Sequence, residues 1–128
     1  MSFLGGIFGS RRKEGAAPPG SIPVLEGSVD RLLREDSVIV FKHSTACPMS
    51  WAAHAHVTKF LRENPDAPVR MVKVIQERVL SQKIAEATGV RHESPQIIVL
   101  RGGEVAASAS HGRITLDSLN EMRQLLLV

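Results

Sequence analysis

The segment from Val38 to Arg62 constrains the fold most, because it joins a strand pattern to a helix pattern through a short turn. Residues 38–41 are an apolar, mostly β-branched run, which is typical of a buried strand. Between Pro48 and Arg62 there is no further proline or glycine, and apolar residues recur at helical spacing: Ala53, Val57, Phe60 and Leu61. Because proline favours the first helical position, the pattern predicts Pro48 at N1 and Cys47 at the N-cap.

The predicted position of Cys47, the chain's single cysteine, has chemical consequences. A sulfur at a helix N-cap faces unpaired backbone N–H groups and the positive end of the helix dipole, and both favour the thiolate. The dipole contributes only ~0.3–1 kcal/mol, so we expect the amides of Met49 and Ser50 and the Ser50 hydroxyl to contribute most. Lys42 and His43, at the strand end, are expected to add positive potential. The alternative is a small buried hydrophobic side chain, as most free cysteines are.

Length and composition limit the function classes. A chain of 128 residues with 43% hydrophobic residues suits one globular domain. One cysteine excludes an internal disulfide, a multi-cysteine zinc site and an internal dithiol couple, so we expect a reducing compartment, the cytoplasm. The net charge of +3 comes without a basic stripe carrying interleaved aromatics, so we expect no nucleic-acid partner. No apolar run approaches ~18 residues, so we expect no membrane span.

The first part of the chain differs from the rest. Residues 1–21 are rich in glycine and proline, which predicts a flexible N-terminal tail before a domain at 22–128. Within the tail, apolar residues that would share a helical face precede a basic cluster: Phe3, Leu4, Ile7 and Phe8, then Arg11, Arg12 and Lys13. A weak membrane-surface anchor is the alternative to a mobile tail. The apolar run is too short and too interrupted for a signal peptide.

The remaining patterns alternate between strand and helix. They predict a short edge strand at 22–25, strands at 37–43 and 69–75, and a hairpin that turns at Gly102-Gly103. They also predict a helix capped by Ser28, a helix that starts between Arg78 and Ser81 and ends at Gly89, and a last helix capped by Thr115. Alternating elements imply parallel strands, and the hairpin adds antiparallel ones. The order predicts a three-layer α/β sandwich with a mixed sheet. Ligands in such sheets bind beyond the carboxyl ends of the parallel strands, where Cys47 is placed.

A second motif, Ser94-Pro95, directly precedes an apolar strand that begins at Gln96. Proline cannot donate to a sheet ladder, so it must stand at the first position of that strand. Only ~5–6% of X-Pro bonds are cis, and only the combination with a helix-capping cysteine favours a cis bond here. A cis bond would turn the Ser94 backbone toward an extended ligand.

Three segments resemble the monothiol bacilliredoxin family, a glutaredoxin-like branch of the thioredoxin fold. They are residues 42–50 (Lys-His-Ser-Thr-Ala-Cys-Pro-Met-Ser), 92–96 (His-Glu-Ser-Pro-Gln) and 109–111 (Ala-Ser-His). The resemblance covers roughly residues 22–128. It implies a thioredoxin-like three-layer α/β/α sandwich with a mixed four- to five-stranded sheet.

The resemblance also implies a function and a site. Cys47 would be the redox cysteine that removes bacillithiol from protein mixed disulfides, and Ser50 stands where dithiol relatives carry a resolving cysteine. Motif residues that support the thiolate would be Thr45, Pro48, Met49 and Ser50. The groove for substrate and thiol would contain Lys42, His43, Trp51, Ser94, Pro95, Ser110, His111 and Gly112. Bacillithiol would be a co-substrate with no tightly bound cofactor and no metal, and the partners would be bacillithiolated client proteins and a low-molecular-weight thiol.

This sequence departs from the family pattern at three positions. Relatives usually carry threonine before the cysteine and isoleucine after the proline, whereas this chain has Ala46 and Met49. Gly112 stands where relatives commonly have a large aromatic residue. These changes affect the expected substrate contacts more than the expected chemistry.

Two other functions remain open from the sequence, and a peroxidase and a zinc site are less favoured. One is a non-catalytic thioredoxin-fold module that binds a thiol or a peptide, and another is a dimer that shares an iron–sulfur cluster through Cys47 and a small thiol. A peroxidase is disfavoured, because the usual Pro-x-x-x-Thr-x-x-Cys pattern has Val40 and Ser44 instead of proline and threonine. A zinc site is conceivable if the loop histidines gather near the cysteine: His43, His92 and His111.

Overall fold

The computed structural model describes residues 21–127, and the predicted tail at 1–21 lies outside them except for its last residue. In chain order the strands are β1 (Ser37–His43), β2 (Val69–Lys73), β3 (Gln96–Arg101) and β4 (Glu104–Ser110). The helices are α1 (Val29–Leu33), α2 (Pro48–Glu63), α3 (Arg78–Thr88) and α4 (Leu116–Gln124), with a turn of 3-10 helix at His111–Arg113.

The four strands form one mixed sheet in the order β2-β1-β3-β4. β1 is parallel to β2 and antiparallel to β3, and β4 is antiparallel to β3. The predicted edge strand at 22–25 is reduced to a single parallel bridge between Val24 and Met71. Two backbone hydrogen bonds of 2.8 Å hold it: Leu25 N–H to Met71 O, and Met71 N–H to Pro23 O. The predicted mixed sheet is confirmed.

Strand alternation separates two hydrophobic cores, one on each face of the sheet. On one face Ile39 and Phe41 pack with residues of α2 and α4, chiefly Ala53, Val57, Phe60 and Leu119. On the other face Val38 and Val40 pack with residues of α1 and α3, chiefly Leu32 and Ile84. Helices therefore cover both faces, and the predicted three-layer α/β sandwich is confirmed.

Local signals set most helix ends. α2 begins at Pro48 with Cys47 as its N-cap, as predicted. Thr115 caps α4 and forms a capping box with Ser118. No helix among residues 21–127 is long and apolar enough to cross a membrane.

The inner face of α3 differs from what spacing in the sequence indicates. Leu80, Ile84 and Ala87 lie at i, i+4 and i+7, which places them on one helical face, but Ala87 is exposed, and Ser81 is buried together with Ile84. The buried stripe therefore continues from Ile84 to the half-buried Thr88 and leaves Ala87 outside.

The β3–β4 hairpin turns at Gly102 and Gly103, as predicted. Both residues have positive φ angles, +58° and +82°, as a two-residue type I′ turn requires. A Cβ atom on Gly103 would lie 2.6 Å from the carbonyl oxygen of Leu33. The second glycine therefore meets two demands, a left-handed backbone and close packing against the end of α1.

Candidate active site

Cys47 lies half-buried at the head of α2, after the loop that leaves β1. Its backbone N–H donates to Ser44 O at 3.3 Å, and its carbonyl accepts the N–H groups of Ser50 and Trp51 at 3.0 and 3.2 Å. Its side chain makes no capping hydrogen bond with the helix. The predicted N-cap position is confirmed, but the predicted hydrogen bonds from the amides of Met49 and Ser50 to the sulfur are wrong.

The Ser50 side chain is fully buried and engaged elsewhere. Its Oγ lies 2.7 Å from Nδ1 of His43 and accepts the backbone N–H of Ser44 at 2.9 Å. The prediction that this hydroxyl supports the sulfur of Cys47 is wrong, because the strand end and the loop already satisfy it. Ser50 instead ties the first turn of α2 to the end of β1 and to the loop that carries Cys47.

His43 is buried beneath this loop, so it cannot form an open groove surface as predicted. Burial lowers its pKa, and the neighbouring His54 lowers it further. Because Ser50 already accepts the Ser44 N–H, its own proton is free to be donated to Nδ1 of a neutral His43. The proton of that imidazole then lies on Nε2, a buried atom with no hydrogen-bond partner among residues 21–127.

An aromatic cluster surrounds His43. Phe41 stacks against it with ring centroids 5.5 Å apart, and Trp51 meets it edge-on at 4.6 Å. The indole N–H of Trp51 donates to the carbonyl of Thr45 at 2.9 Å, which links α2 to the loop before Cys47. Trp51 is 48% exposed, so it is part of the surface beside Cys47 rather than of the core.

The position of Lys42 contradicts its predicted place in the groove near Cys47. Its side chain is completely buried, and Nζ lies 3.0 Å from both Ser81 O and Nδ1 of His92. Because side chains alternate along a strand, Lys42 points to the α3 face while His43 points to the α2 face. Burial lowers the pKa of Lys42 from 10.5 to about 8. It is therefore not the surface cation near Cys47 that the sequence predicted.

The Ser94-Pro95 motif lies at the same end of the sheet as the loop that carries Cys47. The Ser94–Pro95 peptide bond is cis, the geometry that its combination with a helix-capping cysteine favours. The Pro95 carbonyl accepts the backbone N–H of His111 at 3.0 Å. Gln96, the next residue, pairs with Lys42 on one side and with Ser110 on the other. The end of β1, the cis-proline and the turn after β4 are therefore neighbours.

A protein-family model matches most of the chain. The family model described as Monothiol bacilliredoxin BrxC matches residues 27–119. The chain belongs to the monothiol bacilliredoxin family.

Solved structures agree with the family on the fold. A candidate oxidoreductase with a thioredoxin fold is 38% identical, with 73% of this chain and 83% of that one covered and a TM-score of 0.67. A mutant thioredoxin from Halobacterium salinarum NRC-1 is 24% identical over 86% of this chain and 94% of that one, with a TM-score of 0.61. Reduced desulfothioredoxin from Desulfovibrio vulgaris Hildenborough is 19% identical over 81% and 96%, with a TM-score of 0.63. This bacilliredoxin-family chain thus has the thioredoxin fold, and the family and the first of these structures support a thiol oxidoreductase.

The remaining predicted residues lie on the surface or near it. Thr45, Pro48 and Met49 are exposed around Cys47, and their support of the thiolate stays a prediction. The other groove residues are half-buried or exposed near the cis-proline: Ser94, Ser110, His111 and Gly112. Their contact with a substrate also stays a prediction.

The histidines do not assemble a zinc site with Cys47. His92 contacts Lys42 on the α3 face of the sheet, whereas His43 faces α2. Within residues 21–127, no group of three His, Cys, Asp or Glu side chains is placed to hold a metal ion. The zinc alternative therefore has no support in this part of the chain.

Sequence reasoning missed Glu93 and Gln96. A side-chain hydrogen bond with Ser110 lowers the pKa of Glu93, and the charges of His111, Arg91 and Arg113 lower it further. Gln96 is the buried polar residue that opens the apolar strand β3. An amide inside a buried strand was the available signal, because such groups need hydrogen-bond partners.

Proposed function

We propose that this protein is a monothiol thiol–disulfide oxidoreductase that removes bacillithiol from protein mixed disulfides through Cys47. One observation supports the proposal most. A lone cysteine lies at the head of α2, at the end of the sheet where the cis-proline also lies. Serine, which cannot form a disulfide, stands at position 50 and is buried. This arrangement supports exchange through one sulfur.

The exchange has two balanced steps. The Cys47 thiolate attacks the bacillithiol sulfur of the client's mixed disulfide, so a Cys47–bacillithiol disulfide forms while the client–bacillithiol bond breaks. The client sulfur leaves as a thiolate and takes up a proton from water. The thiolate of a second bacillithiol then attacks the bacillithiol sulfur on Cys47, which frees the Cys47 thiolate and leaves bacillithiol disulfide.

Residues around Cys47 have positioning roles in this proposal. The Ser50 hydroxyl holds Ser44 and His43, so the loop enters α2 in one conformation. Trp51 holds the Thr45 carbonyl and offers an exposed aromatic surface next to the sulfur. Half-burial of Cys47 leaves its sulfur accessible to a disulfide on a client.

Exchange through one sulfur also defines the partners and the compartment that we propose. Bacillithiol acts as a co-substrate rather than a tightly bound cofactor, and the protein partners are bacillithiolated clients. The protein acts in the reducing cytoplasm, because external thiol must regenerate a lone cysteine. The alternatives are a module that binds thiols or peptides without turnover and a cluster-sharing dimer.

Intact-mass spectrometry tests the proposal. A bacillithiolated client is incubated with wild-type protein or with Cys47→Ser, which keeps the size of the side chain and removes the nucleophile. We expect the adduct mass to leave the client and appear on the wild-type protein, and neither change with Cys47→Ser. A client that keeps its adduct with both proteins would favour the binding module, and brown freshly purified protein would favour the cluster-sharing dimer.

A further inference from the structure

Strand β4 forms one edge of the sheet, and its outer side is open. The strand pairs only with β3, and no backbone hydrogen bond joins residues 104–110 to any other part of residues 21–127. At the opposite edge, β2 is partly covered by the bridge between Val24 and Met71. β4 is therefore the edge that offers unpaired backbone groups to another strand.

The register shows which backbone groups of β4 face outward. Opposite residues of two antiparallel strands alternate between pairs that exchange backbone hydrogen bonds and pairs that do not. His111 lies opposite Pro95, one step beyond the pair of Gln96 and Ser110, and its N–H donates to the Pro95 carbonyl at 3.0 Å. Ser110 and Ser108 therefore belong to the other kind of pair, and their N–H and C=O groups point away from β3. Each chain thus offers two donors and two acceptors along this edge.

The sequence of β4 does little to protect this edge. Edge strands are commonly protected by lysine, by proline or by a bulge. Residues 105–110 contain no lysine, no proline and no charged residue. A bulge opposite Val99 and Leu100 disturbs the start of the strand, but the register is regular from Ala107 to Ser110. The side chains of this regular part are alanine and serine, which are too small to hold a neighbouring strand away.

The two ends of β4 carry opposite charges. Glu104 at its start is exposed, and the exposed residues His111 and Arg113 follow its end. Glu93 lies near this second end, but Arg91 is there as well, so the charge around it stays positive. A two-fold axis that pairs two β4 strands antiparallel brings the acidic start of each strand toward the basic end of the other. The edge is therefore complementary to itself.

We propose that β4 pairs with β4 of a second copy of this chain, which joins two four-stranded sheets into one sheet of eight strands. Ser108 of each copy lies opposite Ser110 of the other, and these two pairs exchange four backbone hydrogen bonds. The two-fold axis places the two Cys47 residues at opposite ends of the joined sheet, so the pairing uses neither sulfur. This inference goes beyond the proposed function and does not depend on it.

Sedimentation equilibrium of the full chain in reducing buffer tests this pairing. One short edge makes a small interface, and small interfaces associate weakly, so the loading concentration runs from about 5 to about 500 µM. Ser108→Pro removes an outward N–H that β3 does not use, and an edge strand accepts proline at such a position. Ser108→Ala is the matched control, because it removes the hydroxyl and keeps the N–H. Cys47→Ser shows whether the sulfur takes part.

We expect the weight-average mass of wild type to rise with concentration from 13.9 kDa toward twice that value. Ser108→Ala and Cys47→Ser should associate like wild type, whereas Ser108→Pro should raise the dimer dissociation constant at least roughly tenfold. A wild-type protein that stays monomeric at every concentration, or equal association of Ser108→Pro, would overturn the inference. Loss of the dimer in Cys47→Ser would also overturn it, because the contact would then run through the sulfur.

Amide hydrogen exchange of wild type gives a second readout that needs no variant. The N–H groups of Ser108 and Ser110 should exchange slowly at high concentration and rapidly after dilution. Those of Ala107 and Ala109, which face β3, should be protected at both concentrations. Rapid exchange of the two serine amides at every concentration would contradict the pairing. Protection that does not change on dilution would contradict it too, because a part of the same chain would then cover the edge.

Discussion

Lys42 shows how much a single residue depends on its surroundings. A lysine side chain is rarely buried without an acidic partner, yet Lys42 is covered completely between β1 and α3. Its Nζ contacts one carbonyl and one imidazole nitrogen, both uncharged acceptors. Burial therefore penalises the charged form, and the pKa falls to about 8.

This penalty predicts how stability depends on pH. Below pH 8 Lys42 is charged in the folded and the unfolded protein, and above pH 10.5 it is neutral in both. Between these values the unfolded chain holds the proton that the folded protein has lost, so the free energy of unfolding should rise with pH. The rise over the whole interval is about 3 kcal/mol. Lys42→Met should abolish it.

Urea unfolding at pH 7.5, 8.5 and 9.5 measures this difference between wild type and Lys42→Met. Lys83→Met, which removes an exposed lysine of α3, is the matched control and should keep the rise. Equal pH dependence in wild type and Lys42→Met would show that Lys42 titrates normally in the folded protein.

At the scale of elements, short sequence signals determine where helices begin and where the hairpin turns. Thr115 and Ser118 satisfy the first backbone groups of α4 without help from the rest of the chain. The β3–β4 turn is different, because Gly103 also packs against the carbonyl of Leu33 at the end of α1. This contact couples the hairpin to a helix far away in the sequence.

The two turn glycines should therefore respond differently to alanine. Gly102→Ala should cost only the strain of a positive φ angle, about 1 kcal/mol, because nothing lies within 4 Å of its added Cβ. Gly103→Ala should cost about 3 kcal/mol, because its Cβ would also collide with Leu33 O. Equal losses in chemical denaturation would mean that the hairpin moves away from α1 at little cost.

At the scale of the whole molecule, one sheet separates two cores. Ile97 and Ile98 are neighbours in β3, both fully buried, but they face opposite helix layers. The chain's single tryptophan, Trp51, lies on α2 and so reports on one side of the sheet. Because both cores share strands β1, β2 and β3, we expect them to unfold together.

The matched variants Ile97→Val and Ile98→Val test this cooperativity. Each should lower the free energy of unfolding by about 0.5–1.5 kcal/mol. Both should shift the unfolding curves from Trp51 fluorescence and from circular dichroism by the same amount, whereas Val79→Ala, at an exposed site, should shift neither. If Ile98→Val moves the circular dichroism curve but not the fluorescence curve, the two cores unfold separately.

Features that depend on residues close together in the chain could be predicted from the sequence alone. Hydrophobic periodicity predicted the strand and helix order, Pro48 predicted the start of α2 with Cys47 as its cap, and Thr115 predicted the start of α4. These signals are local, because caps and periodic faces involve residues only a few positions apart.

Tertiary structure alone decided which atoms meet. Lys42 was expected near the sulfur but lies on the other face of the sheet, with His92 as its partner 50 positions along the chain. The Ser50 hydroxyl was expected to stabilise the thiolate of Cys47, but it forms hydrogen bonds with His43 and Ser44 instead. A polar cleft beside the end of β4 joins side chains from β3, β4 and two loops, and its buried Gln96 Oε1 has no hydrogen-bond partner among residues 21–127. Such contacts depend on how the layers pack, and no local pattern specifies them.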